Sequence, residues 1–472
     1  MQHKGEYIWA LVGRFLPLFI YLITTMVLAR FLTPDDFGKV GALSIFFVVA
    51  NALMDAGLGG SLVKEPYLSK VDCSTILVFN ITISHFLYLI LFFSSGIIED
   101  YFDVEGLSLI VRILCLVFVI NSWGLVPRSL LIRDLQFKTL SIVNIVGVSI
   151  AAISSVIFAF FNFGVYALVA YQILNSLFCV LLSILLSHYK LSFRFSWDSL
   201  RRLFSFGMFT TLATTIDTIY ENLITFLFGK YLNMQEAGYL NQAKRLEEVP
   251  SQGATSTISS VSFPVLTKIR DDHEAFDKEC MNIFKTVLLI LIPLLFCISL
   301  FSKEIIWIVF GEQWLPAAPY LSLLIWAAIF HIAETLNRTF IKSSCRVELL
   351  FKYTIVKRLL GIGVILLLLM VDPKLILHGY IISTIIGFIV NAVILSSVSA
   401  IGFWKQISSF LSYMLPGVVF LGLMFFIQFI FLDFGAQLLF CLTILSVYYL
   451  GILRLYNIEI FSFLSNYIKS NK

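Results

Sequence analysis

The chain has 472 residues, of which 59% are hydrophobic and only 13% charged, and its mean hydropathy is +0.94. Such a composition excludes an ordinary soluble domain, and the net charge of +4 says little until it is divided between the two faces of a membrane. The seven cysteines are scattered, with no CxxC pair and no His/Cys cluster, which argues against both a disulfide framework and a zinc site.

A bilayer core about 30 Å thick takes roughly 20 apolar residues per helical crossing. Windows of that length predict fourteen spans: 7–32, 38–63, 74–98, 106–126, 139–161, 164–187, 203–229, 236–262, 283–302, 318–341, 353–371, 376–399, 409–431 and 436–455. The apolar runs are continuous and lack the period-two alternation of barrel strands, so an all-α membrane protein is expected. Arg14 interrupts what would be the apolar region of a signal peptide, and no cleavable leader is expected. The loops are too short for a separate soluble catalytic domain, so the activity is expected in or across the membrane and an enzyme is not.

Polar residues mark several of these spans. The first carries Arg14, then Pro17, Tyr21 and Thr24. The second ends in DAGLGGSLV, whose glycines suggest close helix packing and a structural role for Asp55. Arg112, Lys357 and Arg358 fall within about two turns of a membrane face and are expected to snorkel. The seventh span has Thr210, Thr214, Asp217, Glu221 and Thr225 at helical spacing. Asp217 and Glu221 are one turn apart and repel when both are ionised, which makes them candidates for proton exchange.

The eighth span contains NQAKRLEE, four formal charges in a segment that hydropathy places in the bilayer. Asn241, Arg245, Glu248, Gln252, Thr255 and Ser259 form one polar stripe, with Leu240, Ala243, Leu246 and Val249 on much of the other face. Pro250 and Gly253 are expected to bend or loosen this helix. The tenth span adds His331, Glu334, Asn337 and Arg338, with Glu334 and Arg338 at a pairing distance of four. A charge near mid-bilayer costs about 3 kcal/mol or more on insertion scales, so several together imply a shared water-filled space. The blander account is that Lys244 or Arg245 merely neutralises Glu248 along one helix.

RFLTPDDFGKV from Arg30 aligns without gaps with KYLNMQEAGYL from Lys230, matching Leu32 with Leu232, Asp36 with Glu236 and Gly38 with Gly238. Weak internal similarity at a fixed offset is how a duplicated bundle shows itself in sequence. With a cytoplasmic N-terminus, 21 of the 33 Lys and Arg fall inside, five fall outside and seven lie within spans. That bias predicts both termini in the cytoplasm. The acidic loop EDYFDVE at 99–105 then lies outside, in agreement.

The stretches ARFLTPDDFGKVGALSIF, DAGLGGSLVK, RDLQFK and FGKYLNMQEAGYLNQAKRL followed by SFPVLTKIRDD resemble the polysaccharide transporters of the multidrug/oligosaccharidyl-lipid/polysaccharide exporter superfamily, the Wzx-type flippases. The resemblance covers roughly residues 5–360 and is greatest to the branch exporting colanic acid, O-antigen or capsule. It implies a MATE-like bundle: a lobe at 1–202, a second at 203–400, and two further helices with a cytoplasmic tail at 401–472. It also implies a cargo, an oligosaccharide repeat unit on undecaprenyl diphosphate, flipped between leaflets of a bacterial inner membrane by alternating access.

A diphosphate needs cations, and Arg14, Lys244, Arg245 and Arg338 are the candidates. Asp217, Glu221 and Glu334 are the candidates for coupling to a proton or sodium gradient, with no other cofactor implied. The expected partners are the lipid-linked oligosaccharide, the bilayer, and the polymerase and chain-length regulator of the same pathway, not nucleic acid. The competing readings are a small-molecule antiporter of the same superfamily and a membrane polysaccharide polymerase.

Overall fold

A computed structural model describes residues 4–55, 57–65, 67–187, 189, 192–344, 347–430, 440, 443, 445 and 446. The described secondary structure is helical: α1 (Lys4–Phe31), α2 (Pro34–Asp55), α3 (Leu58–Lys64), α4 (Lys70–Phe102), α5 (Leu107–Leu114), α6 (Leu116–Ser122), α7 (Leu125–Arg133), α8 (Phe137–Phe160), α9 (Tyr166–Leu186), α10 (Trp197–Tyr231), α11 (Met234–Ile269), α12 (His273–Leu300), α13 (Ser302–Val309), α14 (Ala318–Ser343), α15 (Val347–Val371), α16 (Ile376–Val398) and α17 (Phe403–Ile430). Short 3-10 turns, Glu312–Ala317 and Pro373–Leu375, precede α14 and α16. Among the described residues nine helices are long and apolar enough to cross a membrane, and up to ten if a bent pair counts as one span. The predicted span 436–455 falls almost wholly outside the described residues.

The helix ends follow local chemistry. Ser69 and Asp72 cap α4 reciprocally, Ser196 caps α10 and Asp272 caps α12. Two predicted spans are broken rather than straight. The second stops at Asp55 and resumes at Leu58, with Gly57 in the left-handed region at φ 78° and Asp55 Oδ1 accepting from Gly59 N at 3.1 Å. That bond gives Asp55 the structural role expected of it. The fourth runs as α5, α6 and α7, bending by 44° between Ser122 and Leu125.

The chain forms two compact units. The first runs to Gln242 and takes in Ile306–Ala317 and Leu366–Ile376. In it α8 packs on both α1 and α9, and α10 packs on α2, α3 and α4. Small residues set these distances: Gly13 of α1 lies on Ser141 of α8, whose hydroxyl donates to Trp9 O at 2.6 Å, and Gly147 lies on Cys179 of α9. The second unit comprises Ala243–Ile305, Ala318–Ile365 and the chain from Leu377 onward. There α12 packs on α14 and α17, and Gly417 of α17 lies against Phe296.

Candidate functional site

The repeated segments fold alike and meet each other within the first unit. Thr33 caps α2: Asp36 Oδ2 accepts from Thr33 N at 3.0 Å and from its hydroxyl at 2.8 Å, and the hydroxyl accepts from Asp36 N at 3.3 Å. Asn233 caps α11 at the matching place, its Oδ1 accepting from Glu236 N at 2.7 Å. Two residues beyond each acid stands a glycine. Gly38 lies so close to the carbonyl of Met234 that a Cβ would overlap it, and Gly238 stands in the same relation to the carbonyl of Pro34. Residue 38 on 234 and 238 on 34 is a reciprocal contact, backbone on backbone, that only glycine permits.

A short segment from later in the chain covers this crossing. Trp314 is fully buried, and its Nε1 donates to Ala29 O at 2.9 Å. Gln313 Nε2 donates to Ala29 O at 2.6 Å and to Leu32 O at 3.2 Å. Phe37 from one repeat and Tyr239 from the other both stand edge-on to the Trp314 ring, with centroids at 5.2 and 6.0 Å. Gly311, at φ 101°, leaves room for the guanidinium of Arg30, which donates to Ile308 O at 3.2 Å.

The second unit holds a buried charge cluster. Glu334 on α14 is 1% exposed, and its Oε1 takes a short salt bridge from Lys357 of α15, itself 2% exposed. Arg338 and Arg358 approach the same oxygen at 3.6 and 3.8 Å. Asn391 of α16 donates to Glu334 O at 3.1 Å, and Gly387 lets that helix lie against Glu334 Oε2. Asn337 donates to Gln406 Oε1 at 3.1 Å, and Gln406 donates on to Ala392 O and Ile401 O. One carboxylate thus gathers three cations from two helices, about 15 Å into α15 at 1.5 Å per residue.

The structure brings Glu334 and Arg338 together, as their spacing predicted. Arg14 is exposed on α1, and Asp217, buried, and Glu221, half-buried, lie on α10; these three belong to the first unit. Lys244 and Arg245 are half-buried on α11 in the second. The side chains of Thr210, Thr214, Gln252 and Ser259 lie outside the described ones. Lys357 and Arg358 overturn an expectation: they do not snorkel but are buried, because Glu334 supplies the counter-charge within the unit. Arg112 is held too, donating to Ser95 Oγ at 2.8 Å with its guanidinium 4.8 Å from the Phe92 ring. The sequence signal for the missed pair was there, two adjacent cations at the head of the apolar run LLGIGVILLLLMV.

Residues 27–319 match the family described as polysaccharide biosynthesis protein. The chain is 24% identical to the teichuronic acid biosynthesis protein TuaB of Bacillus subtilis (strain 168) over 345 residues, 73% of this chain and 71% of that protein. It is likewise 24% identical to the lipopolysaccharide biosynthesis protein WzxC of Escherichia coli (strain K12) over 361 residues, 76% of this chain and 73% of that one. The fold is that of the lipid II flippase MurJ in an inward closed conformation, with a TM-score of 0.75 at 18% identity over 95% of this chain and 99% of the other. With more than half of its length matched, the chain belongs to the polysaccharide biosynthesis protein family.

Proposed function

We propose that this multi-pass membrane protein is a flippase. It moves an oligosaccharide repeat unit on undecaprenyl diphosphate from the cytoplasmic to the periplasmic leaflet of a bacterial inner membrane, for surface polysaccharide synthesis. The observation that carries this reading is the family match to TuaB and WzxC joined to the MurJ fold. The chain is a transporter and not an enzyme. The reciprocal glycine crossing supports alternating access, since a contact made by backbone alone parts without stranding a charge.

In this reading fourteen spans form repeat-related lobes at 1–202 and 203–400 with 401–472 appended, and both termini are cytoplasmic. These symmetry units need not coincide with packing units, because α10 and the start of α11 pack in the first compact unit. Arg14, Lys244, Arg245 and Arg338 serve the diphosphate, and serines, threonines and amides of the polar stripes serve the sugars. Net flux requires a gradient, coupling or consumption of the product, and an inward proton supplies roughly 2.3 kcal/mol per 100 mV. The three cations around Glu334 favour a fixed counter-ion there, leaving Asp217 and Glu221 as the proton carriers. The pathway's polymerase and chain-length regulator would take the product.

Deleting the gene tests the proposal. Lipid-linked single repeat units that accumulate facing the cytoplasm are the expected result. Units already facing outward would overturn it and indicate failed polymerisation instead.

A further inference from the structure

One buried amide close to the glycine crossing makes no hydrogen bond. Gln242 is 0% exposed, and neither its amide oxygen nor its amide nitrogen has a hydrogen-bond partner. An amide side chain brings two donors and an acceptor, and burying them unpartnered weakens the fold where an apolar side chain of similar size would not. The first copy of the repeat makes the point directly. The residue matching Gln242 at the offset of 200 is Ala42, also 0% exposed. Caps and glycines correspond between the two copies, and at this position a methyl on α2 is replaced by an amide on α11.

Its place on the helix says when that amide would be used. Gly238 lies four residues earlier, one turn away on the same face of α11 and about 6 Å along the axis. No side chain fits at Gly238 while it rests on the carbonyl of Pro34. Directly behind the crossing Asn241 of α11 lies against Gly41 of α2, with Gln242 next to it on the helix, so this turn of α11 is what a separation of α2 and α11 uncovers. Adjacent ring hydroxyls of a sugar offer paired donors and acceptors that a carboxamide matches, whereas a lipid tail offers none.

We propose that Gln242 is a specificity-determining residue for the sugar part of the cargo, sequestered while the crossing is closed and partnered by sugar hydroxyls once it opens. The proposal rests on the flippase reading. Its test uses the purified full chain in proteoliposomes and two probes, undecaprenyl diphosphate bearing a neutral trisaccharide and undecaprenyl diphosphate bearing no sugar. Gln242→Leu is expected to slow the trisaccharide lipid about tenfold, leave the bare lipid unchanged, and keep or raise the Tm in detergent. Gln242→Asn, which retains the amide, is expected to recover part of the rate. If wild type moves only the sugar-bearing lipid, that partial recovery becomes the deciding measurement, and none would overturn the proposal. Equal slowing of both lipids, no slowing of either, or a Tm lowered by several degrees in Gln242→Leu would also overturn it. Wild type moving neither lipid would instead sink the flippase reading and the proposal with it.

Discussion

Two regions of the molecule hold helices together by opposite means. At the start of α2 and α11 the contact is glycine backbone on carbonyl, reciprocal between the two repeat copies and free of charge. Around Glu334 the contact is a carboxylate with Lys357, Arg338 and Arg358, joined by the amides of Asn391, Asn337 and Gln406. Dispersion contacts fall away smoothly and leave nothing unsatisfied when they part. A buried ion cluster strands charges in a low dielectric if it is opened. The first contact therefore suits a place that opens and closes on each cycle, and the second suits a frame that does not.

The sharpest way to break this comparison is to remove the buried lysine. Lys357→Met leaves Glu334 without its shortest partner, and losing one member of a buried pair costs about 3–5 kcal/mol. Thermal unfolding in detergent should show a Tm loss larger than that from any of the glycine or cap substitutions. The double variant Lys357→Met with Glu334→Gln removes both charges but leaves Arg338 and Arg358 without their carboxylate, so it should lose more than Lys357→Met alone and less than the two single losses summed, a coupling that independent sites would not show. A single variant as stable as wild type would mean the cluster is no frame.

Much of this was legible in the sequence and some was not, for a physical reason. Helix limits follow from apolar runs ended by Thr33, Ser69, Ser196, Asp272 and other caps, all of them local features. The repeat was also legible, since Gly38 and Gly238 stand at one offset. That the two glycines touch each other was not, because periodicity along one helix does not name the helix it meets. For the same reason Lys357 and Arg358 looked like interfacial residues, their counter-charge lying 23 and 24 positions away on α14. Breaks inside apolar runs, at Gly57 and between Ser122 and Leu125, also escaped a hydropathy reading.

The glycine crossing is tested by adding a single methyl group. Gly238→Ala places a Cβ on the carbonyl of Pro34, and overpacking of this kind typically costs about 1–3 kcal/mol. If the crossing is a contact used in the cycle, the penalty falls on the closed arrangement, and flipping of the lipid-linked repeat unit should drop by roughly ten- to a hundredfold. Gly96→Ala is the control, for a Cβ there meets nothing within 4 Å and a helix-interior alanine is favoured over glycine. Equal behaviour of the two variants in transport and in thermal unfolding would remove the crossing from the cycle.

The smallest expected effect separates the two copies of the repeat from each other. Thr33→Ala deletes the hydroxyl of a reciprocal cap and Asn233→Ala deletes a single acceptor, and helix caps contribute about 0.5–2 kcal/mol each. The backbone bond from Thr33 N to Asp36 survives the first change, so its cost should stay near the lower end of that range. Asn233→Ala removes the Oδ1 that accepts from Glu236 N, and should cost as much or more. Thr33→Asn, which copies the second repeat's cap onto the first, should be close to neutral in Tm. A large loss from that exchange would mean that the two helix starts, alike in their acids and glycines, are held by different chemistry and are not equivalent halves of one crossing.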